Sequence, residues 1–277
     1  MITGEFKFDL EDAIRGTLPQ YTAAYSVTNE PLGPEILLHK PQDKSVLTIA
    51  ASGDQPITYA SSGASKIDTF DITLTSKVIM DIKTAAIRTI GLRAYRHLVQ
   101  NLYDLGAATK SHPEFTDILY RMPDDTRILA QEYITRRPDA FRREWGGPCF
   151  YPATDEQYEH TQRFLARNHF GFIWSDVTNL HRYLKTKYDI INLSNVFEHC
   201  YRLQKKNPDT IGDTLCNLWP YVHDGGAIIC VVANSGLPDK MEYERIINTA
   251  RKITPRDHIL EQDTYPWATL IAITKVR

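Results

Sequence analysis

The sequence predicts an α/β fold built on a mostly parallel sheet with helices on both faces. Two observations predict it. Short β-rich runs alternate with helical patterns along most of the chain, and several of those runs end in small, polar or acidic residues. A third, compositional observation agrees: hydrophobic residues make up 42% and charged residues 24% of 277 residues, the balance of an ordinary globular chain.

The elements follow in order. Phe8 to Ile14 opens a helix with Asp9 as its N-cap. Pro31, Pro34 and Pro41 punctuate the approach to the first strong strand, Val46 to Ala50, which ends in Ala51-Ser52-Gly53-Asp54. Helical character leads to a second strand, Ile67 to Ile72, completing a strand–helix–strand unit. Apolar residues at three- and four-residue steps then predict a helix over Ser76–Leu102, broken or capped at Gly91. Between Leu105 and Asn168 the periodicity weakens, which marks an inserted helical lobe or lid. Three strands follow: Phe172–Trp174 ending in Ser175-Asp176, Tyr188–Leu193 ending in Ser194-Asn195, and Ala227–Val232. A helix over Thr210–Tyr221 precedes a turn at His223-Asp224-Gly225-Gly226. His258–Gln262 and Ala268–Thr274 close the sheet as an antiparallel pair. The organisation expected is an N-terminal helical segment (1–40), a Rossmann-like cofactor-binding domain split into 41–104 and 169–277, and an inserted helical lid or substrate lobe at 105–168.

Net charge is −2, so no bulk field draws the chain to nucleic acid, and no nucleic-acid partner is expected. The four cysteines, Cys149, Cys200, Cys216 and Cys230, form no CxxC pair and no zinc-finger spacing, so no metal is expected. No signal-like segment or run of about 20 apolar residues is present. These readings predict a reduced, cytoplasmic protein without a membrane span, and leave the oligomeric state open.

In folds of this class ligands bind at the carboxyl ends of strands, near the point where strand order reverses. The first strand end offers Ala51, Ser52, Gly53 and Asp54, with neither GxGxxG nor a P-loop. The second offers Asp71 and Ile72; an acid there, about twenty residues after the glycine turn, accepts hydrogen bonds from ribose hydroxyls. The third offers Asp176 and Val177 for an adenine amino group, and the fourth Ser194, Asn195, Glu198 and His199 on the side of the reacting group. Asp71, Asp176 and Asn195 read equally well as helix caps, Gly53 as a turn residue, and Glu198 and His199 as helix surface. Their order on successive strand ends resembles that of an S-adenosylmethionine-binding Rossmann-like domain.

The stretches Val46–Gln55, Thr69–Thr73 and Asp81–Arg88, with Leu193-Ser194-Asn195 after a Tyr-Asp strand, resemble the betaine-lipid-synthesis family. Its motifs run like VLTIASAGDN, VDLNPAQ, LKLAAI and LSN. The likeness covers roughly residues 25–105 and 186–200, and departs at Gln55 and Thr73, where the family has Asn. Upstream, Tyr25–Glu30 resembles a Y…WED segment of the family, with Asn29 for Trp and Pro31 for Asp. The resemblance implies S-adenosylmethionine as cofactor. It also implies transfer of its 3-amino-3-carboxypropyl group to a small-molecule or lipid acceptor, with release of 5′-methylthioadenosine. Methyl transfer from the same cofactor, and non-catalytic binding of it, are the alternatives.

Residues 111–184 contain nine Arg and no Lys. Guanidinium forks suit carboxylates and phosphates, so Arg142 and Arg143, in the loop-like Arg142–Pro148, are candidates for clamping the methionine carboxylate or an anionic acceptor. The bland alternative is a solvated helical surface, since acids interleave with the arginines. Tyr25 and Tyr151 could face a sulfonium. Asn195, Glu198 and His199 are the candidate catalytic residues, with His199 as a general base.

Overall fold

The computed structural model describes residues 2–16, 18–21, 24–26, 39–137, 140–142, 152–198, 210–233, 237–265 and 268–276. Ten strands are present among them: β1 Ile2–Gly4, β2 Ala24–Tyr25, β3 Ser45–Ile49, β4 Lys66–Asp71, β5 Phe141–Arg142, β6 Gly171–Trp174, β7 Tyr188–Asn192, β8 Val222–Ala233, β9 Ile259–Tyr265 and β10 Ala268–Thr274. The helices are α1 Leu10–Arg15, α2 Asp54–Ser61, α3 Leu74–Thr89, α4 Leu92–Asn101, α5 Leu105–Ser111, α6 Phe115–Tyr120, α7 Asp124–Arg136, α8 Asp155–Arg167, α9 Thr210–Leu218 and α10 Leu237–Ile253.

Eight strands form one sheet in the order β1-β6-β4-β3-β7-β8-β10-β9. Pairing is parallel from β1 through β8, and β10 runs antiparallel to both β8 and β9. The chain moves outward from β3 through β4 to β6, then returns to the other side of β3 with β7. Strand order therefore reverses between β3 and β7. With the reversed strand inserted beside β8, this is the Rossmann-like methyltransferase arrangement, and the expected α/β class and antiparallel closing pair are borne out.

Successive residues of a strand face opposite sides, and β3 shows this directly. Val46 joins the core shared with Ile79, Ile82, Phe115, Leu129 and Tyr133, while Leu47 joins the core of Ile191, Leu215, Ile228 and Ile246. The insert is thus part of the first core and packs on α3. Polar bonds fix that packing. Thr126 donates to the Asp81 carboxylate at 2.6 Å, Asp81 is ion-paired with buried Lys77, and Thr75 shares a hydrogen bond with Tyr133 at 3.0 Å.

Several expected elements shift. The span predicted as helix over Ser76–Leu102 begins two residues earlier and divides into α3 and α4 at the break expected at Gly91, where the chain turns extended at Ile90 and Gly91. The turn expected at His223–Gly226 lies inside β8, where Gly225 takes a φ of 81° and the register with β7 shifts. The helix over Thr210–Tyr221 ends at Leu218 and continues as a 3-10 turn. Asp9 caps α1 as expected, accepting from the Asp12 N–H at 3.0 Å.

The N-terminal segment contains more than a helix. β1 adds to the sheet edge beside β6, and β2 pairs with β5 of the insert. Trp174, at the end of β6, anchors this arm. Its ring stands edge-on to Phe6 and Tyr21, each 5.5 Å away, and its indole N–H donates to the Ile72 carbonyl at 2.9 Å. Arg137 adds a second tie, donating to the Tyr21 carbonyl at 2.6 Å.

Trp174→Phe keeps an aromatic ring but strands the Ile72 carbonyl. Ile72 is half-buried, so losing its partner should cost about 1 kcal/mol in urea unfolding, the low end of the range for an unsatisfied acceptor. A loss under about 0.5 kcal/mol, the range of an inert surface change, would remove the anchoring role.

Candidate functional site

Four strand ends line up along one edge of the sheet in the order β6, β4, β3, β7. They bring together the segments that begin at Ser175, Ile72, Ala50 and Leu193. Backbone bonds knit them: Ser175 N–H donates to the Asp71 carbonyl at 3.0 Å and Ala50 N–H to the Phe70 carbonyl at 2.8 Å. On either side of the reversal point stand two non-glycine residues in left-handed conformation, Ala51 with φ 43° and Ser194 with φ 49°. Such backbone is costly for L-residues and clusters at functional sites.

Asp71 is the latch between the β3 and β4 ends. Its carboxylate accepts the Ala51 N–H at 2.9 Å and the Thr73 N–H at 2.8 Å. Burial pushes its pKa up to about 6, opposed by these two bonds and by further hydrogen bonds from the Ser76 side chain and the Ile72 backbone. Asp71 is not the cap of α3, whose N-cap is Thr73; it ties down the turn before that helix, at the strand end expected to face a ribose.

Asp54 departs from its expected setting. Its carboxylate does not face the strand-end edge. It forms an ion pair at 2.6 Å with Lys83 of α3, with the two side chains 1% and 0% exposed. Its second oxygen accepts the Ser52 hydroxyl at 2.8 Å. Burial pulls the Lys83 ammonium below its ordinary range, and Asp54 opposes that pull. Gly53 also has a packing explanation. Its φ is 83°, and a Cβ there would lie 2.9 Å from the Met80 backbone. The glycine lets α3 pass close beneath the turn, where the sequence suggested an approach to ligand.

A further set of buried polar groups lies behind the reversal point. Thr48 of β3 donates to Gln55 at 2.8 Å, Asn192 of β7 donates through its side-chain amide to the Tyr59 hydroxyl at 3.0 Å, and the Asn192 side-chain oxygen Oδ1 accepts the Ser194 N–H at 2.8 Å. Sequence reasoning passed over Lys83, Tyr59 and Asn192. For Lys83 a signal existed: it lies four residues after Ile79 and three before Ala86, on the apolar stripe of α3, where a charge demands a counter-ion.

Asp176 accepts both the N–H and the hydroxyl of Thr178, at 2.9 and 2.8 Å; it closes this turn and does not cap a helix, since the 3-10 helix that follows has Asn179 at its N-cap. Val177 is buried with the second core. Asn195 and Glu198 are half-buried beyond β7 and joined by a backbone bond of 3.1 Å. Tyr25 is 43% exposed, and its backbone pairs with that of Arg142, so two of the expected acceptor-side residues are neighbours. Arg143, Tyr151 and His199 lie outside the described residues, as do Cys149, Cys200 and the loop after Arg142. Three arginines of the insert have structural partners: Arg136 pairs with Glu132 at 3.2 Å, Arg163 with Glu159 at 3.6 Å, and Arg137 holds the N-terminal arm. Among the described residues no cluster of three metal-ligating side chains occurs, and no helix is long and apolar enough to cross a membrane.

No protein-family model and no curated protein matches the chain. Solved structures do. The rRNA methyltransferase aviRa from Streptomyces viridochromogenes is 10% identical, with 97% of this chain and 93% of that chain covered and a TM-score of 0.45. Magnesium protoporphyrin IX methyltransferase (ChlM) from Synechocystis PCC 6803, with bound SAH, is 11% identical over 98% of this chain and 90% of its own, with a TM-score of 0.39. An rRNA methylase from Streptococcus thermophilus is 9% identical over 88% and 93%, with a TM-score of 0.42.

Lys83→Met should cost about 3–5 kcal/mol, because it leaves Asp54 as a buried, unpaired charge. Lys83→Met combined with Asp54→Leu should recover much of that loss in urea unfolding. A single variant as stable as the unaltered protein would contradict the sealed pair.

Asp71 gives a pH prediction of defined sign. Its folded pKa lies above its unfolded value, so the folded state binds the proton more tightly. This group's contribution therefore lowers stability as pH rises from about 4 to about 6, and the penalty is fully present above that window. Between roughly pH 5 and 7 the unaltered protein should lose about 1 kcal/mol relative to Asp71→Asn. Parallel stability curves for the two proteins would show that Asp71 does not titrate there.

Proposed function

We propose that the protein is an S-adenosylmethionine-dependent transferase. The observation that carries this reading is the strand order, with its reversal between β3 and β7 and the antiparallel β10 beside β8. The ends of β6, β4, β3 and β7 form the edge along which a nucleoside cofactor lies in such sheets. Three spacings of about 4.8 Å separate the outer two strands, about 14 Å in all, room for an extended nucleoside joined to an amino acid.

The residues fit that cofactor. Asp176 stands at the β6 end for the adenine, Asp71 at the β4 end for the ribose, and the Ala51–Gly53 turn at the β3 end beneath the sulfur. Ser194 and Asn195 are left for the methionine end and the acceptor. Ribose hydroxyls would take the place of the Ser76 hydroxyl on Asp71, since that donor is carried by a rotatable side chain while the others are backbone. When bound, S-adenosylmethionine supplies an alkyl group on a sulfonium leaving group. The work of the chain's own residues is then orientation: they fix which carbon beside the sulfur faces the acceptor. Asn195 carries an amide that both donates and accepts, suited to hold either partner. Acid–base assistance from Glu198 or His199 belongs to the same proposal.

Methyl transfer is the reading the fold supports best. The resemblance of Val46–Gln55, Thr69–Thr73, Asp81–Arg88 and Leu193–Asn195 to the betaine-lipid-synthesis family supports a second reading, transfer of the 3-amino-3-carboxypropyl group. With a net charge of −2 the acceptor is a small molecule or lipid in preference to a polyanion.

Cofactor labelled separately on the methyl and on the carboxyl carbon, offered with small-molecule, lipid and RNA fractions, distinguishes these readings. Methyl label in the acceptor with S-adenosylhomocysteine released supports the first; carboxyl label with 5′-methylthioadenosine released supports the second. Absence of calorimetric binding to S-adenosylmethionine would sink both.

Asp71→Ala should weaken cofactor binding roughly tenfold or more, because each hydrogen bond to a charged group contributes about 1.5–3 kcal/mol. Ser76→Ala should leave affinity equal or tighter, since it removes the competing donor. Unchanged affinity in Asp71→Ala would leave that residue only its latch role.

A further inference from the structure

The turn after β7 is held from behind by a chain of three groups. The Tyr59 hydroxyl accepts from the Asn192 side-chain amide at 3.0 Å, and the Asn192 side-chain oxygen Oδ1 accepts the Ser194 N–H at 2.8 Å. Tyr59, Asn192 and Ser194 are all at most 2% exposed. A neutral amide with its donor and acceptor so engaged has one orientation, because a flip would set its NH2 against the Ser194 N–H. The Ser194 carbonyl is held in turn by the Val231 N–H at 2.8 Å. Ser194 thus keeps its left-handed φ of 49° between two fixed partners.

This polar chain satisfies the buried Ser194 N–H from within the fold. Its effect is local: it fixes where the backbone of Ser194 and Asn195 points. On the reading proposed above, adenine and ribose take the β6 and β4 ends and the sulfur lies over β3. The methionine end of the cofactor must then reach β7.

We propose that Asn192 and Tyr59 are positioning residues that hold the Ser194 turn against the aminocarboxypropyl end of the cofactor. They touch no ligand themselves. They act on one half of it, and this separates them from Asp71, which acts on the ribose. The inference rests on the proposed cofactor reading.

The test is calorimetric titration with S-adenosylmethionine and with 5′-methylthioadenosine, which lacks the aminocarboxypropyl group. Asn192→Ala should weaken S-adenosylmethionine binding about tenfold and methylthioadenosine binding less than twofold. Tyr59→Phe should shift the same ratio in the same direction by a smaller factor, and it decides the matter if Asn192→Ala fails to fold. Equal loss for both ligands, or loss for neither, would overturn the positioning role. If the unaltered protein binds methylthioadenosine and S-adenosylmethionine equally well, the methionine end makes no contact and the inference falls while the nucleoside site stands. If it binds neither, the reading of the site is overturned and this inference with it.

Discussion

Two opposite charges sealed from water, Lys83 and Asp54, constrain the rest of the candidate site. Neither can leave its partner without exposing a bare charge to the core, so the first residue of α2 is fixed to the middle of α3. The other Asp54 oxygen holds Ser52. The turn between β3 and α2 is therefore pinned by its own helix and by the helix that follows the next strand. Gly53 completes the fit by letting Met80 approach. A buried pair of this kind contributes little net stability against an apolar replacement. What it supplies here is a single geometry for a turn that must present backbone to the strand-end edge.

From that fixed point α2 reaches both sides of the reversal. Gln55 accepts from Thr48 of β3, and Tyr59, one turn on, accepts from Asn192 of β7. All eight residues of α2 are buried, which places this helix between the sheet and α8 and leaves its polar groups no water to fall back on. The insert adds a second layer of restraint, since Thr126 and Tyr133 tie α7 to α3. The first core thus runs without a break from the sheet through α3 into the insert.

Much of this was legible in the sequence. The strands β3, β4, β6, β7 and β10 stand out as short β-rich runs, and their ends carry the residues that the fold assembles on one edge. The antiparallel closing pair and the cap at Asp9 were readable from apolar runs and turn chemistry. The rest was hidden for physical reasons. β1, β2 and β5 are two or three residues long and exist through pairing with distant partners, which no local pattern records. Asp54 and Lys83 lie 29 positions apart, so their pairing is a property of the tertiary fold. Asp54 reads as a site residue because it follows the glycine, yet the start of α2 turns its carboxylate inward. Asn192 lies inside a strand, where a lone polar residue gives no local sign that it turns back to hold the residues past the strand end.

The division of labour along the edge is the central claim: adenosine over β6 and β4, the sulfur over β3, and the methionine end at β7. A crystal structure of the protein with S-adenosylhomocysteine tests it most directly. The account predicts adenine beside Asp176, ribose hydroxyls on Asp71, and the homocysteine amino and carboxylate groups against Ser194 and Asn195. A ligand bound away from the strand-end edge, or reversed so that adenine lies at β7, would contradict it.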